Sequence, residues 1–401
     1  MKNRPKYDNR QLGDRRKFLA GLSVGAASIV SPTASPLARG QDIGTNPDIR
    51  KFDGLITREQ EPVNLEFPFA SLDGVKTPNS QFFVRTHFPI PKLGRDDWRL
   101  KCTGHVQREL ALSYDDLTKL PSKKVTATIE CAGNSRVFLV PKAKGVLWEL
   151  GGVSTAEWIG VSLGTLLDRA GVKNGAVEVI LQGADKGQLT EEPKTPGEIH
   201  FARSLPFEKA RQAEVLLAYQ MNGEDLSAEH GFPLRAIVPG WYGMASVKWL
   251  TNIEVTDRPF HGYWQTAEYS YWNRHSGEPV GVPIRELQVK SEIARPTRGE
   301  RIATATPYRI TGAAWSDTDI VKVEVSTDGG QNWKEAKLLG DALPFTWRLW
   351  EFQWQPPKTS GNITLMTRAT DKNGRQQPKA HDPDKKAYLI NHMLPVEVEL
   401  S

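Results

Sequence analysis

Cysteine is scarce in this sequence, with only Cys102 and Cys131 in 401 residues. Neither lies in a CxxC motif, and no CxxCH sequence is present, which excludes a site for covalent haem attachment. If the protein transfers electrons, it does so without a covalently bound haem. The two thiols could still pair in an oxidising compartment, and the sequence leaves that possibility open.

Long apolar runs and a strong excess of one charge are also lacking. After residue 40 no apolar run approaches the roughly 20 residues needed to span a bilayer. The net charge is +5, but residues 1–40 contain eight Lys/Arg and two Asp/Glu, so the remainder carries a net charge of −1. This near-neutral remainder gives no support to nucleic-acid binding and predicts a soluble mature product.

The first forty residues have the pattern of an export signal. The basic stretch Arg15–Leu19 leads into an uncharged run that ends at Pro36, and Ala34–Ala38 is a small-residue cleavage zone. Paired arginines before Phe-Leu are the twin-arginine form of such a signal, with a disordered basic tail as the alternative. We predict a twin-arginine signal peptide over residues 1–40 and a periplasmic mature protein. Because this pathway moves folded proteins, the leader also indicates a cofactor.

Local patterns predict two kinds of structure beyond the leader. Closely spaced prolines indicate an extended lead-in over residues 41–75. From residue 82 to about 265 strands mix with helix, and the clearest elements are a strand at 125–129, a serine-capped helix with a terminal glycine at 162–171, and a strand at 215–221 ending in Asn222–Gly223. The last hundred or so residues alternate apolar and polar in short strands, with a hairpin turning at 328–330 and further strands at 347–354 and 363–369. They predict a β-sandwich.

The stretch TATIECAGNSR, Thr126–Arg136, places a thiol at the end of a strand. A thiolate is a soft ligand for transition metals, and a strand end holds it rigidly. Ala132 and Gly133 let another group approach the backbone, and Arg136 brings a permanent positive charge. An inert buried cysteine is the alternative for Cys131.

The segment Glu130–Arg136 resembles the signature of the sulfite oxidase family of molybdenum enzymes, in which the cysteine binds molybdenum. Other segments agree with that family in order and spacing and together extend over nearly all of residues 80–400. They are Phe83–His87, Trp148, Gly151–Gly160, Gly183–Asp185, His230–Arg235, Ser246–Trp249, Trp264–Tyr269 and Trp347–Trp350.

The resemblance implies an α+β fold: a mixed α/β molybdopterin-binding catalytic domain over residues 41–283, then an immunoglobulin-like β-sandwich dimerisation domain over residues 284–401. It implies a molybdenum–molybdopterin cofactor with Cys131 as the metal ligand. The implied cofactor-binding residues are Phe83, Val84, Arg85, Thr86, His87, Asp185, His230, Arg235, Ser246, Val247 and Lys248. Individually, either histidine could be a core residue, and Lys248 a surface charge.

The family's anion pocket maps to three arginines, Arg85, Arg136 and Arg348, with Trp148 and Tyr269 beside them. Three cations around one small site repel one another by about 4 kcal/mol per close pair at an effective dielectric near 20, so an oxyanion such as sulfite would stabilise them. Tyr269 would orient the substrate and assist proton-coupled electron movement. The alternatives are a cation stacked between tryptophans for Arg348 and an ordinary buried tyrosine for Tyr269.

The function implied is the oxidation of sulfite to sulfate by oxygen-atom transfer, with electrons passed to a periplasmic c-type cytochrome, in a homodimer. Thr86 and Ser135 stand where the animal enzymes have asparagine and arginine, which leaves fine substrate selectivity open. The rivals are a sulfane dehydrogenase subunit of a thiosulfate-oxidising system, a periplasmic methionine sulfoxide reductase, a plant-type nitrate reductase and a non-catalytic periplasmic binding protein.

Overall fold

Strands dominate the part of the chain that the computed structural model describes, residues 54–401. The predicted signal peptide, residues 1–40, lies outside the described residues. Up to residue 283 the strands are β1 (Ile56–Glu59), β2 (Asn64–Glu66), β3 (Val84–Arg85), β4 (Leu100–Gly104), β5 (Leu110–Leu112), β6 (Ser122–Glu130), β7 (Val153–Ser162), β8 (Glu178–Gly187), β9 (Ile199–Pro206), β10 (Leu216–Met221), β11 (Glu224–Asp225), β12 (Arg235–Ile237), β13 (Leu250–Thr256), β14 (Ser270–Asn273) and β15 (Val280–Pro283).

Helices are few and short within residues 54–401. The α-helices are α1 (Tyr114–Thr118), α2 (Leu163–Ala170) and α3 (Phe207–Ala210), and a π-helical turn covers Trp264–Glu268. Single 3₁₀ turns occur at Phe69–Ser71, Asn79–Gln81, Arg136–Phe138, Gly243–Ala245 and Pro383–Lys385. In this part of the chain no helix has the length and apolar character needed to cross a membrane.

The strongest local predictions are confirmed. The strand at 125–129 is β6, and the helix at 162–171 is α2, which buries Leu163, Leu166, Leu167 and Ala170 along one face. Gly171 ends α2 at φ +68°, a left-handed conformation that glycine adopts without steric cost. Ser162 takes the N-cap position, although its side chain makes no capping hydrogen bond.

Two five-stranded sheets carry the first part of the described chain. One has the order β11-β10-β7-β6, with β12 also paired to β10, and the other has the order β5-β4-β13-β8-β9. Strands β6 and β7 pair antiparallel without interruption from Ser122↔Val161 to Glu130↔Val153. The loop 131–152 therefore leaves the sheet at its edge, directly after Glu130.

The C-terminal strands form two packed sheets, as the sequence predicts. They are β16 (Lys290–Arg295), β17 (Arg301–Ile302), β18 (Tyr308–Trp315), β19 (Ile320–Ser326), β20 (Lys334–Glu335), β21 (Lys337–Leu338), β22 (Arg348–Trp354), β23 (Gly361–Asp371) and β24 (Val396–Leu400). The sheet orders are β16-β18-β22-β21 and β17-β24-β23-β19-β20. The predicted hairpin is β19–β20, and Val323, Trp350 and Leu365 lie fully buried in the sandwich core. The α+β fold class is confirmed.

The sandwich is joined to the preceding part of the described chain by buried polar contacts. The Lys290 ammonium lies 3.1 Å from Glu130 Oε1 and donates to Ser135 Oγ at 2.9 Å, while Trp315 Nε1 donates to Glu130 Oε2 at 2.9 Å. Glu292 Oε1 lies 3.7 Å from the same ammonium. Lys290 and both carboxylates are 3% exposed or less. Glu130 and Ser135, which lie on either side of Cys131, thus contact side chains of the sandwich.

Candidate functional site

Cys131 is the first residue after β6, and its backbone is held from two sides. Its N–H donates to Gly152 O at 2.8 Å, and its carbonyl accepts from Asn134 N–H at 2.9 Å, which closes a tight turn. Cys131 and Cys102 are both buried and unpaired, so the structure answers the open question of a disulfide. Cys131 faces a cavity and is free to act as a ligand.

That cavity gathers most of the predicted site from distant parts of the chain. The predicted residues that line it are Phe83, Arg85, His87, Cys131, Asp185, His230, Arg235, Ser246, Val247, Lys248 and Tyr269. Ala132, which the sequence marked as leaving room beside Cys131, and Trp249 of the Ser246–Trp249 segment line it as well. Five lining residues that the sequence did not indicate are Phe82, Ile129, Phe201, Gly243 and Met244. These are mainly apolar or small, and no local pattern distinguishes them from ordinary core residues.

Three predicted residues lie one layer behind the cavity. Side chains alternate along an extended chain, so Val84 and Thr86 point away from the face used by Phe83, Arg85 and His87. Thr86 instead donates two hydrogen bonds within the lead-in, from its N–H to Asn64 Oδ1 and from its hydroxyl to Val63 O. Trp148 is fully buried and packs edge-on against Phe83, with ring centroids 6.2 Å apart.

Tyr269 and His87 form a hydrogen-bonded pair at one wall. Burial, reinforced by the positive charges of Arg85 and Lys248, lowers the pKa of His87, which is therefore neutral. Burial raises the pKa of Tyr269, so its hydroxyl stays protonated and donates to His87 Nε2. Tyr269 directly follows the π-helical turn, whose Trp264 carbonyl accepts from the buried Arg203 guanidinium at 2.7 Å.

Arg136 does not line the cavity, because its guanidinium is bound elsewhere. It donates to Val146 O and Ala387 O, each at 3.1 Å. A Cβ on Gly133 would lie 2.3 Å from Arg136 Nη2, and one on Gly145 would lie 2.6 Å from Nη1. The small residue at 133 therefore makes room for Arg136, which corrects the prediction that it makes room for the cofactor.

Arg348, the third arginine of the predicted anion pocket, also lies outside the cavity. It begins β22, its Nη2 donates to Gly340 O at 3.0 Å, and it is not among the residues that line the cavity. The physical reason is strand alternation: the preceding Trp347 turns toward the catalytic part, with its indole N–H on Val75 O at 2.9 Å, so Arg348 faces the other way. Of the three arginines, the structure brings only Arg85 to the cavity.

Comparison with known proteins agrees with this geometry. Residues 87–264 match the family model described as oxidoreductase molybdopterin binding domain, and residues 282–394 match the Mo-co oxidoreductase dimerisation domain. Mitochondrial sulfite oxidase of Rattus norvegicus is 33% identical over 388 residues, covering 92% of this chain and 69% of the relative. The chain belongs to the sulfite oxidase family.

Other members of the sulfite oxidase family support the same assignment. Sulfite oxidase of Gallus gallus is 34% identical over 390 residues, which cover 92% of this chain and 82% of that protein. The crystal structure of the sulfane dehydrogenase SoxCD from Paracoccus pantotrophus superposes with a TM-score of 0.73 at 30% identity, covering 84% of each chain. The chain is thus a molybdenum-dependent oxidoreductase of sulfur compounds with a molybdopterin cofactor.

The cavity fits the cofactor of the sulfite oxidase family. Arg85, Arg235 and Lys248 gather there beside the single lining carboxylate, Asp185. Burial lowers the pKa of Arg235 to about 9. Burial also lowers the pKa of Lys248 well below its usual value, and the positive charges of Arg235 and Arg85 lower it further. An anionic group such as the molybdopterin phosphate would relieve both shifts.

Two unsatisfied polar atoms in the cavity also indicate a ligand. Among the described residues, Asp185 Oδ1 and Arg235 Nε are buried and have no hydrogen-bond partner. Such atoms cost about 1–3 kcal/mol each when left unpaired. Burial, partly offset by Lys248, raises the pKa of Asp185 to about 7. A pterin offers N–H donors to a carboxylate and a phosphate acceptor to a guanidinium, so the residues present match the group.

Proposed function

We propose that this protein oxidises sulfite to sulfate in the periplasm, after twin-arginine export, and passes the electrons to a c-type cytochrome. The observation that carries the proposal is the free Cys131 thiol facing a buried cationic cavity that also contains Arg85 and the Tyr269–His87 pair. The matched dimerisation domain supports a homodimer. The domain boundary is proposed near residue 283, where β15 ends.

The residues divide the work by chemistry. Cys131 would bind molybdenum. The cofactor phosphate would be held by Arg235 and Lys248, together with His230, Ser246 and Val247. Asp185 would accept hydrogen bonds from the pterin N–H groups. When bound, the cofactor supplies oxygen-atom transfer, which converts sulfite and water into sulfate with release of two protons and two electrons.

Arg85 is the cation that would bind the substrate anion. Its guanidinium is anchored by Asn64 Oδ1 at 3.3 Å and by the Thr86 carbonyl, so its position is set before a substrate enters. Tyr269 keeps its proton and faces the same cavity. Its O–H would therefore donate to a sulfite oxygen when it is not donating to His87, and it would orient the substrate.

A sulfane dehydrogenase is the second candidate. The similarity to the SoxCD structure covers 84% of the chain, and Arg348, one of the three arginines that the resemblance assigned to the anion pocket, lies away from the cavity. A pocket with fewer free cations suits a sulfane sulfur, which carries less charge than sulfite. Both candidates use the same Cys131 and the same cofactor.

The experiment is a parallel assay of sulfite, thiosulfate and methionine sulfoxide, with ferricyanide as acceptor for the first two and one artificial donor for the third. We expect sulfite-dependent ferricyanide reduction that Cys131→Ser abolishes while Cys102→Ser, the matched buried thiol, retains it. Near-normal turnover of Cys131→Ser contradicts thiolate ligation. A well-folded parent that contains no molybdenum after expression in a molybdopterin-competent host contradicts the enzyme assignment.

A further inference from the structure

Four residues of the C-terminal domain, the 386–389 segment, lie against the loop that carries Cys131. Leu389 N–H donates to Ala132 O at 2.9 Å, and Arg136 Nε donates to Ala387 O at 3.1 Å. The Arg136 guanidinium also sits over the Tyr388 ring, with Cζ 5.0 Å from the ring centroid. The segment thus fixes both the residue after the cysteine and the arginine of the same loop.

The same segment holds the opposite wall of the site. The Tyr388 hydroxyl donates to the Glu268 carboxylate, and the rings of Tyr388 and Tyr269 lie 5.1 Å apart. One residue further on, Ser270 Oγ accepts from Lys386 Nζ at 3.3 Å. Tyr388 is therefore in contact with the loop of Cys131 on one side and with Tyr269 on the other.

The backbone of the segment is held in a costly conformation. Lys386 has φ +55° and Leu389 has φ +54°, and neither is a glycine. A left-handed residue with a side chain costs on the order of 1–2 kcal/mol and persists where the surroundings over-determine it. The hydrogen bonds of Leu389 to Ala132 and of Lys386 to Ser270 hold these two residues in that conformation, and they fix the position of Tyr388 between them.

We propose that Tyr388 is a positioning residue that sets Arg136 and Tyr269 relative to Cys131. It acts through packing of its ring and through the Glu268 hydrogen bond. The C-terminal domain thereby determines the geometry of a site whose metal ligand lies in the other domain. The kinetic part of the test rests on the proposed function, whereas the thiol-labelling part does not.

The kinetic test compares Tyr388→Leu and Tyr388→Phe with Tyr308→Leu. Tyr308 is the matched control because its hydroxyl donates to Glu300 at 2.6 Å within the sandwich, away from the site. Misplacement of reacting groups by about 1 Å can cost roughly 100-fold, so Tyr388→Leu should lower kcat/KM for sulfite about 10- to 100-fold at unchanged molybdenum content. Tyr388→Phe keeps the ring but loses the hydrogen bond to Glu268, so its kcat/KM for sulfite should fall about two- to fivefold. Values within twofold of the parent for Tyr388→Leu overturn the proposal.

The labelling test uses the full-length chain made without the cofactor. We measure the rate at which iodoacetamide alkylates Cys131, with the fully buried Cys102 as the internal reference. Tyr388→Leu should raise the rate of Cys131 alkylation at least fivefold over the parent and over Tyr308→Leu, because the Cys131 loop loses the contact of Arg136 with the Tyr388 ring. An unchanged rate overturns the proposal. If Tyr388→Leu does not fold, Tyr388→Phe decides, and kinetics identical to the parent overturn it.

If the parent fails to oxidise sulfite, the proposed function is wrong, while the labelling rates still decide the role of Tyr388. The two failures are therefore distinguishable.

Discussion

Replacing Lys290 by methionine removes the only cation among the described residues that contacts Glu130, the residue before Cys131. The side chains of Lys290, Glu130 and Glu292 are 1%, 2% and 3% exposed. Methionine has a similar length and fills the space, so the change mainly deletes charge and donors. Glu130 would keep the Trp315 indole N–H at 2.9 Å and the Asn134 amide at 3.2 Å, but no opposite charge.

The magnitude follows from burial. Removing one partner of a buried ion pair costs about 3–5 kcal/mol, because the remaining charge stays desolvated. Roughly 350 residues unfold with an entropy of about 2.1 cal/mol/K each, so this loss lowers Tm by about 4–7 °C. Glu292 softens the loss, since burial raises its pKa to about 7 and part of its population is already neutral.

Differential scanning calorimetry of the cofactor-free chain at neutral pH and a fixed scan rate measures this change. The control is Lys337→Met, which deletes a partner of Glu351 at 3.5 Å with the lysine side chain 74% exposed. An exposed pair contributes about 0–1 kcal/mol, so the control should move Tm by less than about 1.5 °C. If Lys290→Met shifts Tm no more than the control does, the buried network does not join the two domains as described.

Gly133→Ala should lower the free energy of unfolding by about 1–3 kcal/mol, because its Cβ meets the Arg136 guanidinium at 2.3 Å, whereas Gly74→Ala, with no atom within 4 Å, should be neutral in urea unfolding. In the cofactor-free chain Asp185 has a pKa of about 7, against 3.8 when unfolded, so the folded state binds more protons between these values and stability falls as pH rises through them. Asp185→Asn should remove that part of the decline, and equal slopes of Tm against pH for both proteins would contradict the burial argument. Arg348→Met should leave KM for sulfite within about twofold, and a steep rise would return this arginine to the substrate pocket.

Periodicity and turn residues were enough to predict the local elements. Alternation along Ile320–Ser326 and the glycine at 171 specify a strand and a helix end through nearest neighbours alone. The strand-like pattern before Cys131 predicted that this residue follows a strand, and the structure places it directly after β6. These predictions succeed because each depends on few residues that are close in sequence.

The failures concern facing and packing. The family resemblance placed Arg348 in the anion pocket. Whether Arg348 or Trp347 faces the rest of the described chain depends on a shift of one residue along the strand, which is set only when the sheet packs against that part. The sequence predicted that Gly133 leaves space for a ligand, but in the structure the Arg136 guanidinium occupies that space. Tyr388 lies in a run with no periodicity, and its partners are about 120 and 250 residues away in the chain.

The long sequence separation between the Cys131 loop and the residues that hydrogen-bond to it affects how the protein folds during synthesis. Arg136 bonds to Ala387 across 251 positions, and Lys290 reaches Glu130 across 160. At about 5–20 residues per second, the ribosome needs roughly 12–50 s after Arg136 to synthesise its partner Ala387. During that interval the cysteine loop of the nascent chain cannot close, so a cofactor bound then would be held by an unfinished site. Stable loading of the cofactor therefore follows the synthesis of residues 387–389.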